Sequence, residues 1–136
     1  MKLGLITYDT THLKTEQVLL NLIKKYEPKD MTLFALPYVP RKERKVFFKH
    51  RPNQSEATAT QILAEILGIE YQRVEKDVEI PGGFDYYLIL GAGILSAEFI
   101  EKAKKVINCH PGVIPAARGL DAFKWSILEM KPLGVT

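Results

Sequence analysis

The chain has 136 residues, 46% of them hydrophobic and 26% charged, with a formal net charge of +3 and a single cysteine. That length suits one domain with one core, of the kind that buries roughly 68–70% of the surface its unfolded chain exposes. The composition excludes a disordered or low-complexity chain, the small charge gives no bulk affinity for nucleic acid, and Cys109 alone makes neither an internal disulfide nor a cysteine zinc cluster.

The first run, KLGLITY, predicts a short apolar strand that meets Asp9 too soon to be a signal-peptide core or a membrane span. The expected location is therefore the reducing cytoplasm. THLKTEQVLLNLIKKYEPKD then sets Leu13, Val18, Leu19, Leu22, Ile23 and Tyr26 at helical spacing until Pro28 stops it. MTLFAL is a second strand. Residues 39–54, VPRKERKVFFKHRPNQ, gather Arg41, Lys42, Arg44, Lys45, Lys49 and Arg51 around Phe47 and Phe48. This segment reads either as a receiver for a phosphate, a nucleotide-sugar pyrophosphate or tRNA, or as a solvated insertion.

NQSEATATQILAEILGIE predicts a helix with Ile62, Leu63, Ile66 and Leu67 along one face, closed by Gly68. An extended piece at 69–74 follows, and PGGFD is a turn. FDYYLILGAG is an apolar run ending in glycines, as in a strand buried on both faces of a parallel sheet. SAEFIEKAKK is a brief helix that Ser96 can cap, with Glu98 and Glu101 in its early turns, and KVINCH is one more strand. The alternation predicts one α/β domain over residues 1–136, a three-layer Rossmann-like fold with right-handed crossovers and a mostly parallel sheet.

Ligands of such sheets bind beyond the carboxyl ends of the strands. Two segments fall there: GAGIL at 91–95, and Asn108 with His110. Residues two apart on a strand share a face, which sends Asn108 and His110 one way and Cys109 inward. An amide donor aimed at a developing oxyanion is worth ~2.7–4 kcal/mol, and an imidazole moves protons near neutrality. The pair suits acyl-type transfer to an amine without a nucleophilic side chain. No G-x-S-x-G elbow supports a serine hydrolase, and the expected burial of Cys109 argues against a cysteine one.

TYDTTH lacks both G-x-G-x-x-G and the Walker pattern, which disfavours NAD and ATP. His12 and His50 have no companions at metal-ligand spacing, so no metal is expected and each reads as a surface histidine. By itself an N-x-H carries little information; the bland alternative is a polar strand end that satisfies its own backbone.

At full length, NCHPGVIPAARGLDAFKW resembles the signature of the 10-formyltetrahydrofolate-dependent formyltransferases: Asn-x-His, Pro or Gly, a later Pro, then Arg-Gly. LILGAGILSAEFI is similar to that family's strand and loop leading into the site. The resemblance implies transfer of a formyl group from N10 of 10-formyltetrahydrofolate to an amine. Asn108 would hydrogen-bond the formyl oxygen, and His110 would stabilise the intermediate and relay the proton. The implied folate grip is the backbone of Gly91, Gly93, Ile94 and Leu95, where glycine admits a flat ligand close to main chain.

Arg118 and Gly119 match the substrate side of the sugar and tRNA branches, the other reading of Arg118 being a solvated loop charge. An Ile114–Pro115 cis bond fits the family's loop, against an ordinary trans turn; cis is found at only ~5–6% of X-Pro bonds. The implied acceptor is an amino sugar on a nucleotide or another small phosphorylated amine. tRNA comes second, because a tRNA enzyme needs a further C-terminal domain.

The family's catalytic aspartate lies farther beyond the histidine than this chain extends. The expectation is therefore a formyltransferase domain cut short before that aspartate, with C-terminal strands of the family fold missing. Weak or absent turnover follows, as does an open sheet edge that invites a homodimer. Asp121 is the nearest downstream carboxylate, but its place at the start of LDAFKWSILEM is explained by helix N-terminal chemistry. A formyltetrahydrofolate hydrolase and a non-catalytic remnant of the same fold are the alternatives.

Overall fold

The computed structural model describes residues 1–40, 56–119 and 121–136, which form two compact units, Met1–Val106 and Ile107–Thr136. The basic residues of the 41–51 segment, with His50, lie outside the described residues.

In the first unit, β1 (Leu3–Tyr8) and β2 (Met31–Leu36) each bury five consecutive residues, as central strands covered on both faces must. Their alternation divides two cores. Leu3, Leu5, Met31 and Leu33 point one way, onto Leu19 of α1 (Leu13–Leu22) and onto Leu63 and Ala64 of α2 (Thr60–Leu67). Ile6 and Phe34 point the other way, onto Phe99 and Ala103 of α3 (Ala97–Ala103) and Tyr87 of β4 (Tyr86–Ile89). Helices on both faces of one sheet make the three layers anticipated above.

With β3 (Glu70–Arg73) and β5 (Val106–Asn108) the strand order is β3-β2-β1-β4-β5. The ladders β1–β2, β1–β4 and β2–β3 are all parallel. The chain winds outward from β1 to β3 and then returns to place β4 on the other side of β1. That reversal is the topological switch point, where an open α/β sheet leaves a crevice at its carboxyl end.

Two helices differ from the sequence reading. The first ends at Leu22 rather than running to Tyr26; Pro28 holds Glu27 in extended backbone (φ −71°, ψ 136°) and opens a 3-10 turn. Ile23 and Tyr26, between the end of α1 and that turn, still pack against the core. In α2 the buried stripe is Thr60, Leu63 and Ala64, while Ile62 and Ile66 are 52% and 70% exposed. The Thr60 hydroxyl donates to the Thr10 carbonyl, which fixes this face of the helix inward and leaves both isoleucines outward. Gly68 closes α2 in the left-handed region, φ 66°, and the Ser96 hydroxyl caps α3 by accepting from Phe99 N–H at 3.1 Å.

In the second unit the buried described residues are all small: Gly112, Ala117, Ala122 and Ser126. Its helix α4 (Ala122–Leu128) begins after Asp121, which has φ 57° and makes no side-chain capping hydrogen bond. Asp121 thus stands at the helix start as expected but does not cap it through its side chain; its carboxylate faces Lys124 at 3.5 Å. No helix among the described residues is long and apolar enough to cross a membrane.

Candidate functional site

At the switch point of the first unit lies a cavity of about 460 Å³. Tyr8 from the end of β1, Leu36 from the end of β2 and Tyr38 beyond it, Asp77 after β3, and Gly93, Ile94 and Leu95 after β4 line it. Three of the four residues assigned to the folate grip thus share one cavity. A Cβ on Gly93 would meet nothing within 4 Å, and Ile94 is fully exposed (103%), so main chain is open to a ligand there.

Gly91 is placed differently. A Cβ there would lie 2.8 Å from His12 Cε1 and from the Tyr8 ring, so glycine is required by packing at this point. His12, read from the sequence as a surface residue, is instead half-buried. Its Nδ1 lies 2.7 Å from Thr15 Oγ1, which in turn meets the buried Thr7 hydroxyl, and its ring stands edge-on to Tyr8 at 5.4 Å. Burial, and secondly the Lys14 charge, hold its pKa below the ordinary value.

In the second unit, Asn108 ends β5 with its side chain exposed, and His110 is half-buried. His110 Nε2 lies 3.1 Å from the Ala117 carbonyl. A carbonyl only accepts, so this contact puts the ring proton on Nε2 and leaves Nδ1 as the basic nitrogen of the neutral imidazole. Cys109 is exposed rather than buried inward. The strand stops at Asn108, so strict alternation does not govern the next residue.

Thr136 shapes the histidine loop. His110 N–H donates to Thr136 O (2.8 Å) and Thr136 N–H to His110 O (3.0 Å), the double exchange of an antiparallel pair. The Thr136 hydroxyl donates to Gly112 O (2.9 Å) and accepts from Ile114 N–H (3.1 Å). The Ile114–Pro115 bond is cis, as the resemblance implied. Arg118 and Gly119 are exposed, Gly119 with φ 79°. Among the described residues no carboxylate pairs with His110, and no cluster could hold a metal ion.

The sequence matches no protein-family model and no curated protein. Solved structures do match. A glycinamide ribonucleotide transformylase from Symbiobacterium toebii superposes with TM-score 0.62 at 13% identity, over 100% of this chain and 64% of that one. A 4-N formyltransferase from Francisella tularensis gives 0.56 at 19% identity, over 99% and 48%. A phosphoribosylglycinamide formyltransferase from Brucella melitensis gives 0.62 at 16% identity, over 99% and 70%.

The fold is a formyltransferase fold. The chain spans less than two thirds of the first two of these proteins. At such identities the likeness concerns the fold, and the roles of individual residues rest on their chemistry.

Sequence reasoning missed Tyr8, Tyr38 and Asp77 as cavity residues. The rule that ligands sit beyond strand carboxyl ends reaches Tyr8 once β1 is known to flank the switch point with β4, and Tyr38 just past the end of the neighbouring β2. Asp77 carries no such signal. It enters because its Oδ2 accepts the Ser96 N–H, tying the turn after β3 to the loop after β4.

Proposed function

We propose that the chain is a formyltransferase domain that moves the formyl group of 10-formyltetrahydrofolate to the amine of a small phosphorylated acceptor, foremost an amino sugar on a nucleotide. The amine nitrogen attacks the formyl carbon, the bond from that carbon to N10 breaks, the amine gives up one proton and N10 takes one. The Asn108 amide donates to the formyl oxygen as it gains charge. His110 accepts the amine's proton at Nδ1 and passes a proton to the leaving nitrogen.

The observation that carries this reading is the half-buried imidazole of His110, held by its ring and its backbone two residues beyond an exposed Asn108 amide, in a chain with the formyltransferase fold. Support for the folate comes from the open main chain at Gly93 and Ile94, where a flat ring can lie against peptide groups. Arg118, exposed beside Gly119, suits the acceptor's phosphate. Because no carboxylate orients His110 among the described residues, turnover is expected to be slow.

Folate absorbance followed with nucleotide-linked amino sugars, with other phosphorylated amines and with water alone tests the proposal. Conversion that needs an amine supports transfer. Equal conversion in water would assign a hydrolase instead, and no conversion under any condition would leave a binding remnant.

A further inference from the structure

The second unit buries small residues and leaves its large apolar side chains outside. In α4 the buried face is Ala122 and Ser126, four residues apart. Phe123 and Ile127, also four apart, stand about half-exposed on one flank of the remaining arc. Trp125 and Leu128, three apart, stand at least half-exposed on the other flank. Beyond the helix Met130, in the left-handed region at φ 50°, is 94% exposed, and Leu133 is more than half-exposed. A helix apolar around so much of its circumference suits an interior rather than water.

This surface is held in shape by its own unit. Lys131 N–H donates to Ser126 O at 2.8 Å, a Cβ on Gly134 would meet Val113 Cγ2 at 2.8 Å, and Thr136 exchanges both backbone bonds with His110. The segment after α4 is thus laid back along its unit, so little ordering entropy is left to lose when a partner binds. The six apolar side chains leave on the order of 800 Å² open, more than the roughly 300–600 Å² of the largest apolar patch on a typical monomer. About 800 Å² is also what each partner brings to a stable protein interface.

The charges say what kind of partner fits. Lys124 faces Asp121 at 3.5 Å and Lys131 pairs with Glu129, so each cation between Asp121 and Lys131 has its own anion. A surface balanced in this way selects neither a nucleic acid nor a strongly charged protein. An interfacial membrane helix carries a polar face rich in Lys and Arg, and α4 has one lysine, already paired. A neutral, preformed apolar surface can instead match itself across a twofold axis.

We infer that α4 and the residues after it form a self-association surface, and that the chain makes a twofold dimer in which each copy covers Trp125, Leu128 and Met130 of the other. The inference is independent of the formyl-transfer reading.

Trp125 is the one tryptophan of the chain, so its emission reports the interface directly. Sedimentation velocity and tryptophan fluorescence are followed across the micromolar range for the parent chain, for Leu128→Lys and for Met130→Lys. Ile62→Lys, at an exposed apolar position of the first unit, is the control, and circular dichroism shows whether each variant folds. A separate series adds phosphatidylglycerol vesicles to the parent chain.

The expected result is a mass that doubles with concentration and an emission that moves to shorter wavelength with the same midpoint. Leu128→Lys and Met130→Lys should each weaken the dimer at least about tenfold, and Ile62→Lys should leave it unchanged. Three results overturn the inference: a parent chain that stays monomeric throughout, a dimer that both α4-side variants spare or that Ile62→Lys weakens equally, or a monomer whose emission shifts only with vesicles. The last would assign the surface to a membrane instead.

Discussion

Met1–Val106 and Ile107–Thr136 hold their functional groups by different physics. In the first, the cavity residues stand at the ends of strands whose interiors are wholly buried, each large side chain there worth about 1.5–3 kcal/mol of burial. In the second, the buried residues are small, and Phe123, Trp125, Ile127, Leu128 and Met130 are exposed. The shape of the His110 loop depends instead on hydrogen bonds from Thr136, each worth about 0.5–1.5 kcal/mol net. Stability and loop geometry are thus separable: the first region sets how hard the protein is to unfold, and the second sets how tightly the His110 imidazole is held.

The sharpest way to break that contrast is a core truncation. Phe34→Ala removes a fully buried ring that also meets Phe84 edge-on, and should cost about 3–5 kcal/mol in urea denaturation. A loss below 1 kcal/mol or so would deny the first region its role.

Thr136→Val keeps shape but deletes both hydroxyl bonds, loosening the loop by about 1–3 kcal/mol. Faster amide exchange at Ile114, a shifted His110 imidazole resonance, an unmoved denaturation midpoint and rescue by Thr136→Ser are the expected readings. An equal shift of the midpoint would mean that the two regions are not separable in this way.

The pH dependence sharpens the picture of the first region. His12 has a lowered folded-state pKa, so the unfolded chain takes up its proton at higher pH than the folded one. Stability present above about pH 6.5 is therefore lost as pH falls toward the folded value. Denaturation midpoints across that window should fall for the parent chain and fall less for His12→Gln; identical slopes would show that His12 is not the group responsible. The smallest effect is expected at the surface, where Lys131→Ala breaks the exposed pair with Glu129 at a cost of about 0.5 kcal/mol.

The elements themselves were legible because apolar runs and helical spacing report burial directly. Leu3, Leu5 and Ile6 and the MTLFAL run read as strands and are strands, and Ser96 caps α3 through its own short-range chemistry. Direction was less legible. Hydrophobicity favoured Ile62, Leu63, Ile66 and Leu67 for the buried face of α2, whereas the buried residues are Thr60, Leu63 and Ala64.

Of the candidate site, the glycine loop and the Asn108-x-His110 spacing are local patterns and could be found in the sequence. The aromatic corner of Tyr8 and Tyr38, the His12–Thr15–Thr7 chain under Gly91, and the grip of Thr136 on His110 join positions far apart or depend on burial. Only the fold brings such residues together. Cys109 shows the converse: alternation predicted its burial, and the end of β5 one residue earlier left it exposed.

The central claim is that Asn108 and His110 carry formyl transfer to an amine. It is tested most directly with the chain at stoichiometric concentration, 10-formyltetrahydrofolate and a nucleotide-linked amino sugar, reading the mass of the sugar product. The account predicts slow appearance of the N-formylated sugar with the parent chain, and none with Asn108→Ala combined with His110→Ala. Formate without formylated sugar, or product formed equally by the double variant, would contradict it.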